Sequence, residues 1–186
     1  MKKIFAIAIV VAGTLYVSAE NILKDGGFEK GKDDWVFTQR LVTGNAVLDT
    51  EKKTEGQQSI RLEVTEKKKD KDSRQALQLA SPKIAVTGGT ELFYSFDLAL
   101  ENVTQGEKNW NICRIALDLY DADGKRIKGV DLAGGQGTVD WKKYTGKVNL
   151  PKNCAFVTFR LMLSDATGKI WVDNIILSTM EIKETE

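Results

Sequence analysis

The sequence contains no histidine, and cysteine and proline occur only twice each in 186 residues. Without an imidazole, Ser-His-Asp and Cys-His nucleophilic mechanisms are excluded, as are imidazole–zinc centres and lyases that need a histidine base. Two prolines leave no proline-rich linker, and no internal repeat or second domain is visible. Charge of one sign is also scarce, with 27 basic against 26 acidic residues. That balance argues against nucleic acid or a membrane surface as partner. The basic run Lys67-Lys68-Lys69-Asp70-Lys71-Asp72 carries its own acids and reads as a solvated loop.

Long apolar runs are missing except at the start. Met1-Lys2-Lys3 precedes Ile4 to Val17, and Val17-Ser18-Ala19 places small residues before Glu20. At 14 residues the run is short of the ~20 a spanning helix needs. The layout is that of a secretory signal peptide cut after Ala19. Residues 1–19 are therefore expected to leave, giving a secreted or periplasmic protein. Lys2 and Lys3 leave with them, so 25 basic residues face 26 acidic ones. In an oxidising compartment Cys113 and Cys154 are either a disulfide or two buried thiols, and spacing alone does not choose.

What the chain does have is period-two alternation. Ser59 to Val64 turns Ile60, Leu62 and Val64 to one side, and Gln75 to Leu79 is a weaker strand. Leu92 to Leu100 alternates Leu92, Tyr94, Phe96, Leu98 and Leu100 with Phe93, Ser95, Asp97 and Ala99. Ile112 to Tyr120 sets Cys113, Ile115, Leu117 and Leu119 against Arg114, Ala116, Asp118 and Tyr120. Tyr144 to Leu150 is another strand. Phe156 to Leu163 turns Val157, Phe159, Leu161 and Leu163 one way and Thr158, Arg160 and Met162 the other, and Ile170 to Leu177 closes the series. Such segments with turns between them predict an all-β sandwich. Asp121-Ala122-Asp123-Gly124-Lys125 is a hairpin turn; it lacks the bidentate acid and flanking helices of an EF-hand. Val86 to Thr90 and Ala133 to Gly137 read as loops, the latter without the Lys-Ser/Thr of a phosphate cradle.

The two ends of this region carry polar groups in telling places. Asn21 to Glu29 sets Gly26-Gly27 before Phe28 and Glu29, and Trp171-Val172-Asp173-Asn174-Ile175 buries a carboxylate in an apolar strand. An unpaired carboxylate there costs several kcal/mol. Two carboxylates converging from opposite chain ends suit a hard cation such as Ca²⁺.

In order, these landmarks continue through Trp35, Glu55-Gly56-Gln57-Gln58-Ser59-Ile60, Pro82 and Gly88-Gly89. After them come Tyr120 to Lys125, Trp141-Lys142-Lys143-Tyr144 and Val148-Asn149-Leu150-Pro151. Over residues 20–180 the chain resembles carbohydrate-binding modules of families 4, 9, 16 and 22, followed by a polar tail, 181–186. The resemblance implies a galactose-binding-like jelly roll that binds β-linked glucan or xylan without catalysis, on a concave sheet face or in a loop cleft. It also implies one structural Ca²⁺, with ligands at the Gly27 carbonyl, Glu29, Glu55, the Gln58 carbonyl and Asp173. The alternative is that Glu29 and Asp173 only accept backbone hydrogen bonds.

The ligand face departs from the family. The stretch Gln75-Ala76-Leu77-Gln78 stands where relatives carry a platform tryptophan, and Met162 stands where some carry a polar ring. Candidate sugar contacts are Gln78, Trp110, Arg114, Asp118, Tyr120 and Arg160, since aromatic faces stack on pyranose rings and polar groups take the hydroxyls. The simpler reading pairs Arg114 and Arg160 with Asp118 or Asp97 across strands. Trp35, Trp141 and Trp171 are expected to be structural. Expected partners are a plant-type polysaccharide and separate secreted glycoside hydrolases. Two other functions compete: an adhesion domain making protein contacts, and a glycosidase using Asp97 and Asp118 on one sheet face.

Overall fold

A computed structural model describes residues 20–67, 75–109 and 111–182. The signal segment, Trp110, most of the Lys67–Asp72 run and the last four residues of the tail lie outside the described residues. Among the described residues there are strands and no helix. In chain order they are β1 Val36–Arg40, β2 Val42–Asp49, β3 Ser59–Lys67, β4 Ala76–Ala80, β5 Ile84–Ala85, β6 Glu91–Val103, β7 Cys113–Tyr120, β8 Arg126–Gly135, β9 Gly137–Asn149, β10 Phe156–Ser164 and β11 Gly168–Ser178. They form two antiparallel sheets. A six-stranded sheet runs β1-β4-β10-β7-β8 with β5 also on β10, and a five-stranded sheet runs β2-β3-β11-β6-β9. This is the all-β sandwich expected from the alternation, in the jelly-roll form that the resemblance implied.

The alternating faces land as read. Val157, Phe159, Leu161 and Leu163 of β10 are fully buried, as are Cys113, Ile115, Leu117 and Leu119 of β7. Across the sandwich, Phe96 of β6 meets Phe159 edge-on at 5.4 Å between ring centres, and within its own sheet it stacks on Tyr144 of β9 at 5.5 Å. Each large side chain so buried contributes roughly 1.5–3 kcal/mol.

Three regions correct the sequence reading. Residues 36–49, which show no clean alternation, form two strands, with β1 exposed along its whole length. Leu41, at φ 52°, turns the chain from β1 in one sheet to β2 in the other. Ala133 to Gly137 is not a loop: Ala133, Gly134 and Gly135 pair with Ile115, Arg114 and Cys113. Gly137, at φ 80°, then passes the chain from β8 into β9 of the other sheet. A side chain on Gly134 would stand 2.6 Å from the Cys113 carbonyl, so glycine here permits strand contact rather than a loop. The strand expected from Tyr144 therefore begins at Gly137. The turn at Asp121 is as expected, with Gly124 at φ 78° donating to the Asp121 carbonyl.

The cysteines are free and buried. Cys113 opens β7, whereas Cys154 sits at its far end, where the Ala155 amide donates to the Tyr120 carbonyl at 2.8 Å. The strand between them, at about 3.3 Å per residue, keeps them about 20 Å apart, well beyond disulfide reach. Burial also pushes the Cys113 thiol up to about 12. Both thiols are expected to resist a thiol reagent in the native protein and to react fully in denaturant. The melting temperature should not change with reductant.

Candidate functional site

The chain ends meet as the sequence suggested. Asn21 donates through Nδ2 to the Ile175 carbonyl (2.8 Å) and accepts the Leu177 amide (2.9 Å). The Gly26 carbonyl accepts the Ile175 amide at 3.0 Å. A Cβ on Gly26 would stand 1.9 Å from the Ile175 carbonyl oxygen, so only glycine lets the two segments touch. Phe28 is fully buried and lies 4.9 Å from Trp35.

The five positions expected to hold calcium gather here. A Cβ on Gly27 would lie 3.9 Å from both Asp173 Oδ1 and Glu29 Cγ. Glu29 Oε1 accepts the amides of Gln57 (2.9 Å) and Gln58 (3.3 Å). Asp173, almost fully buried, accepts the Thr54 amide and hydroxyl (both 2.9 Å) and the Glu55 amide (3.3 Å) on Oδ2, and the Asn174 amide (2.8 Å) on Oδ1. Its register partner Asp97 lies 3.1 Å from both the Thr54 hydroxyl and Asn174 Nδ2. The donor set is all oxygen, which fits a hard cation in kind and place. The carboxylates, however, face amides, and no three acids group as metal ligands among the described residues. Among the described residues the Gly27 and Gln58 carbonyls, Glu29 Oε2 and the Glu55 carboxylate accept no protein hydrogen bond, whereas both oxygens of Asp173 do.

The sugar-contact candidates come together on the outward side of the six-stranded sheet. Leu77 and Leu79 point inward, so Gln78 points out; the register then aligns Gln78, Met162 and Arg114 in one row across β4, β10 and β7. The next row holds Ala80, Arg160, Ala116 and Asp131. Beyond it Thr158 faces Asp118, and Phe156 faces Tyr120. The residue at Trp110 lies outside the described residues.

Charge pairing organises this face. Asp118, its side chain 8% exposed, is shared by two arginines. Arg126 reaches Oδ1 through Nε (3.0 Å) and Nη2 (2.7 Å). Arg160 reaches Oδ1 through Nη2 at 3.1 Å, and its Nε stands 2.7 Å from Oδ2 without pointing its N–H at that oxygen. Arg160 Nη1 lies 3.3 Å from both Gln78 Oε1 and Met162 Sδ, laying its guanidinium over the buried methionine. Arg114 grips Asp131 with Nη2 at 2.7 and 2.6 Å. Arg160 thus pairs with Asp118 as the simpler reading held, but Arg114 takes Asp131 rather than Asp118 or Asp97. Asp97 and Asp118 lie in different sheets and both face outward, on opposite sides of the sandwich. The core between them rules them out as a glycosidase pair on one face.

Four participants escaped the sequence reading: Arg126, Gly129, Asp131 and Phe156. A Cβ on Gly129 would stand 2.4 Å from Arg126 Nη2 and 2.9 Å from Asp118 Oδ1, so this glycine leaves room for the ion pair. Tyr120, half-buried, has the Lys83 ammonium 4.8 Å over its ring. Trp35 and Trp171 are buried as expected of structural residues, and Trp141 is half-buried. Trp171 lies on the other sheet, where its indole N–H donates to Asp49 at 2.8 Å and Lys52 sits 4.1 Å over its ring. Burial raises the Asp49 carboxyl, but that hydrogen bond, the Lys52 and Glu51 amides and Arg61 outweigh it and hold the group below its usual range.

No protein-family profile matches the chain. It is 25% identical over 174 residues to the tRNA(Glu)-specific nuclease WapA of Bacillus subtilis subsp. natto, covering 90% of this chain. The chain spans about 7% of the length of that curated relative. Among solved structures it is similar to the enzymatically active domain of tailspike protein 4 of bacteriophage CBA120, with TM-score 0.64 and 14% identity over 85% of this chain and 21% of that one. It is also similar to a family 16 carbohydrate-binding module, with TM-score 0.56 and 16% identity over 84% of this chain and 99% of the module. A third is the CBM22-1 xylan-binding domain from Paenibacillus barcinonensis, with TM-score 0.57 and 14% identity over 87% and 95%. The solved structures establish the fold, the carbohydrate-binding-module type of jelly roll, and the two modules are matched over nearly their whole length.

Proposed function

We propose that the outward face of the six-stranded sheet binds a β-linked polysaccharide, glucan or xylan, as a non-catalytic module of a secreted protein. The observation that carries this reading is the set of charge-paired side chains held in fixed geometry on that face: Gln78–Arg160–Asp118–Arg126 and Arg114–Asp131. A sugar hydroxyl donates to a carboxylate and accepts from a guanidinium, so such pairs read hydroxyls without reorganising. Tyr120 and Phe156, neighbours at one end, offer ring surface to an apolar pyranose face. Trp110, between β6 and β7 in the sequence and outside the described residues, is the further aromatic that the sequence offers. The family 22 neighbour is a xylan-binding domain, which supports the same chemistry here.

Calcium belongs to the proposal as a structural ion at the junction of the chain ends. The Gly27 and Gln58 carbonyls with Glu29, Glu55 and Asp173 would hold it and supply charge neutralisation, no reaction step. Secretion after cleavage near Ala19, and partnership with separate secreted glycoside hydrolases, complete the reading.

An adhesion role is the second reading. It is favoured by the mutual satisfaction of the arginines and aspartates, which leaves few groups reaching outward. A pull-down on insoluble xylan and cellulose separates the two. Retention that falls at least about tenfold in Tyr120→Ala, and also falls in Trp110→Ala, is the expected result. No retention on either polymer favours adhesion.

A further inference from the structure

At Val36, paired with Ala80, β1 begins, and the residues before it do not pair with β5. β5 pairs only with β10, so its other edge keeps unpaired backbone groups among the described residues. The two segments diverge and enclose a groove of about 810 Å³, within the range of about 300–1,000 Å³ typical of ligand sites. Leu23, Trp35 and Ile84 give it an apolar floor, and Asp33, Asp34 and Lys83 stand on its rim.

The groove differs from the sheet face in one respect. On the face the carboxylates are occupied by arginines. Among the described residues Asp33 and Asp34 form no hydrogen bond or ion pair, and both are exposed. An apolar floor under free acceptors is the chemistry of a neutral, hydroxyl-bearing ring. Lys83 joins the two places, lining the groove while its ammonium lies over Tyr120.

We infer that this groove is a second saccharide subsite, and that a polysaccharide bound on the sheet face continues past Lys83 into it. One ring rests over Trp35 and Ile84, and its hydroxyls donate to Asp33 and Asp34. The inference rests on the carbohydrate reading above and extends it from a face to a longer track.

Isothermal titration with xylohexaose and cellohexaose, each against its trisaccharide, tests it. The doubly substituted Asp33→Ala/Asp34→Ala protein should weaken the hexasaccharide about tenfold and leave the trisaccharide within about twofold. Both residues are exposed and unpaired, so an unchanged melting temperature verifies folding. Undiminished hexasaccharide binding in that variant overturns the groove and leaves the sheet-face reading standing. A wild-type protein that binds neither hexasaccharide overturns both. If Tyr120→Ala binds normally while the double variant does not, the face reading and the continuous track both fail, and binding is confined to the groove.

Discussion

Asp118→Ala is expected to destabilise the domain by about 3–5 kcal/mol, because it strands the mostly buried Arg160 guanidinium without a counter-charge. The Arg160 side chain is 14% exposed, against 51% for Arg126, so the loss falls mainly on Arg160. At about 2–4 °C per kcal/mol for a domain of this size, the melting temperature should drop by roughly 10 °C. Arg126→Ala removes the half-exposed partner and should cost under about 1 kcal/mol. Calorimetry of the two variants decides the point: equal small losses would mean that Asp118 is not the anchor of the face. Retention on polysaccharide should vanish with Asp118→Ala even below its melting temperature, since Arg160 loses the contact that fixes its direction.

The second large effect is at Asp173. Asp173→Ala removes the acceptor for the Thr54 amide and hydroxyl and the Glu55 and Asn174 amides. Asp173 is buried, but Thr54 and Glu55 are exposed and Asn174 is half-buried, so water takes up part of what these donors lose and a loss of about 1–3 kcal/mol is expected in thermal unfolding. The same variant addresses the ion. A bound Ca²⁺ at a hundredfold excess over its dissociation constant adds about 2.7 kcal/mol. EDTA should therefore lower the melting temperature of the wild type and leave Asp173→Ala unmoved. A wild type indifferent to EDTA removes calcium from the account while leaving the hydrogen-bond role of Asp173 intact.

Much of the fold was legible because core strands bury one face completely. The runs around Ile60, Phe96, Leu117, Phe159 and Ile170 alternate in the sequence and pack as read. The strands that escaped, β1, β2, β5 and β8, lie at sheet edges, where neither face is fully covered and polar residues are tolerated on both. In β8 two register shifts against β7 break the alternation of Ile127, Val130 and Leu132, and the glycines that make pairing possible look like loop residues.

The site was legible in part for a related reason. Gln78, Arg114, Asp118, Tyr120 and Arg160 sit opposite apolar residues on strands whose inward face was plain, so their outward direction followed. Their partners did not, because Arg126 and Asp131 come from the hidden edge strand. The meeting of Gly26, Gly27, Glu29 and Asp173 could be read from two short motifs, since a glycine pair and a buried carboxylate each demand a specific neighbour.

The most direct measurement of the central claim is a glycan array carrying β-linked glucans and xylans, probed with the folded wild-type protein and with Tyr120→Ala. The account predicts retention of the wild type on one of these classes and its loss in the variant. A blank array for the wild type, or equal retention of both proteins, would contradict it.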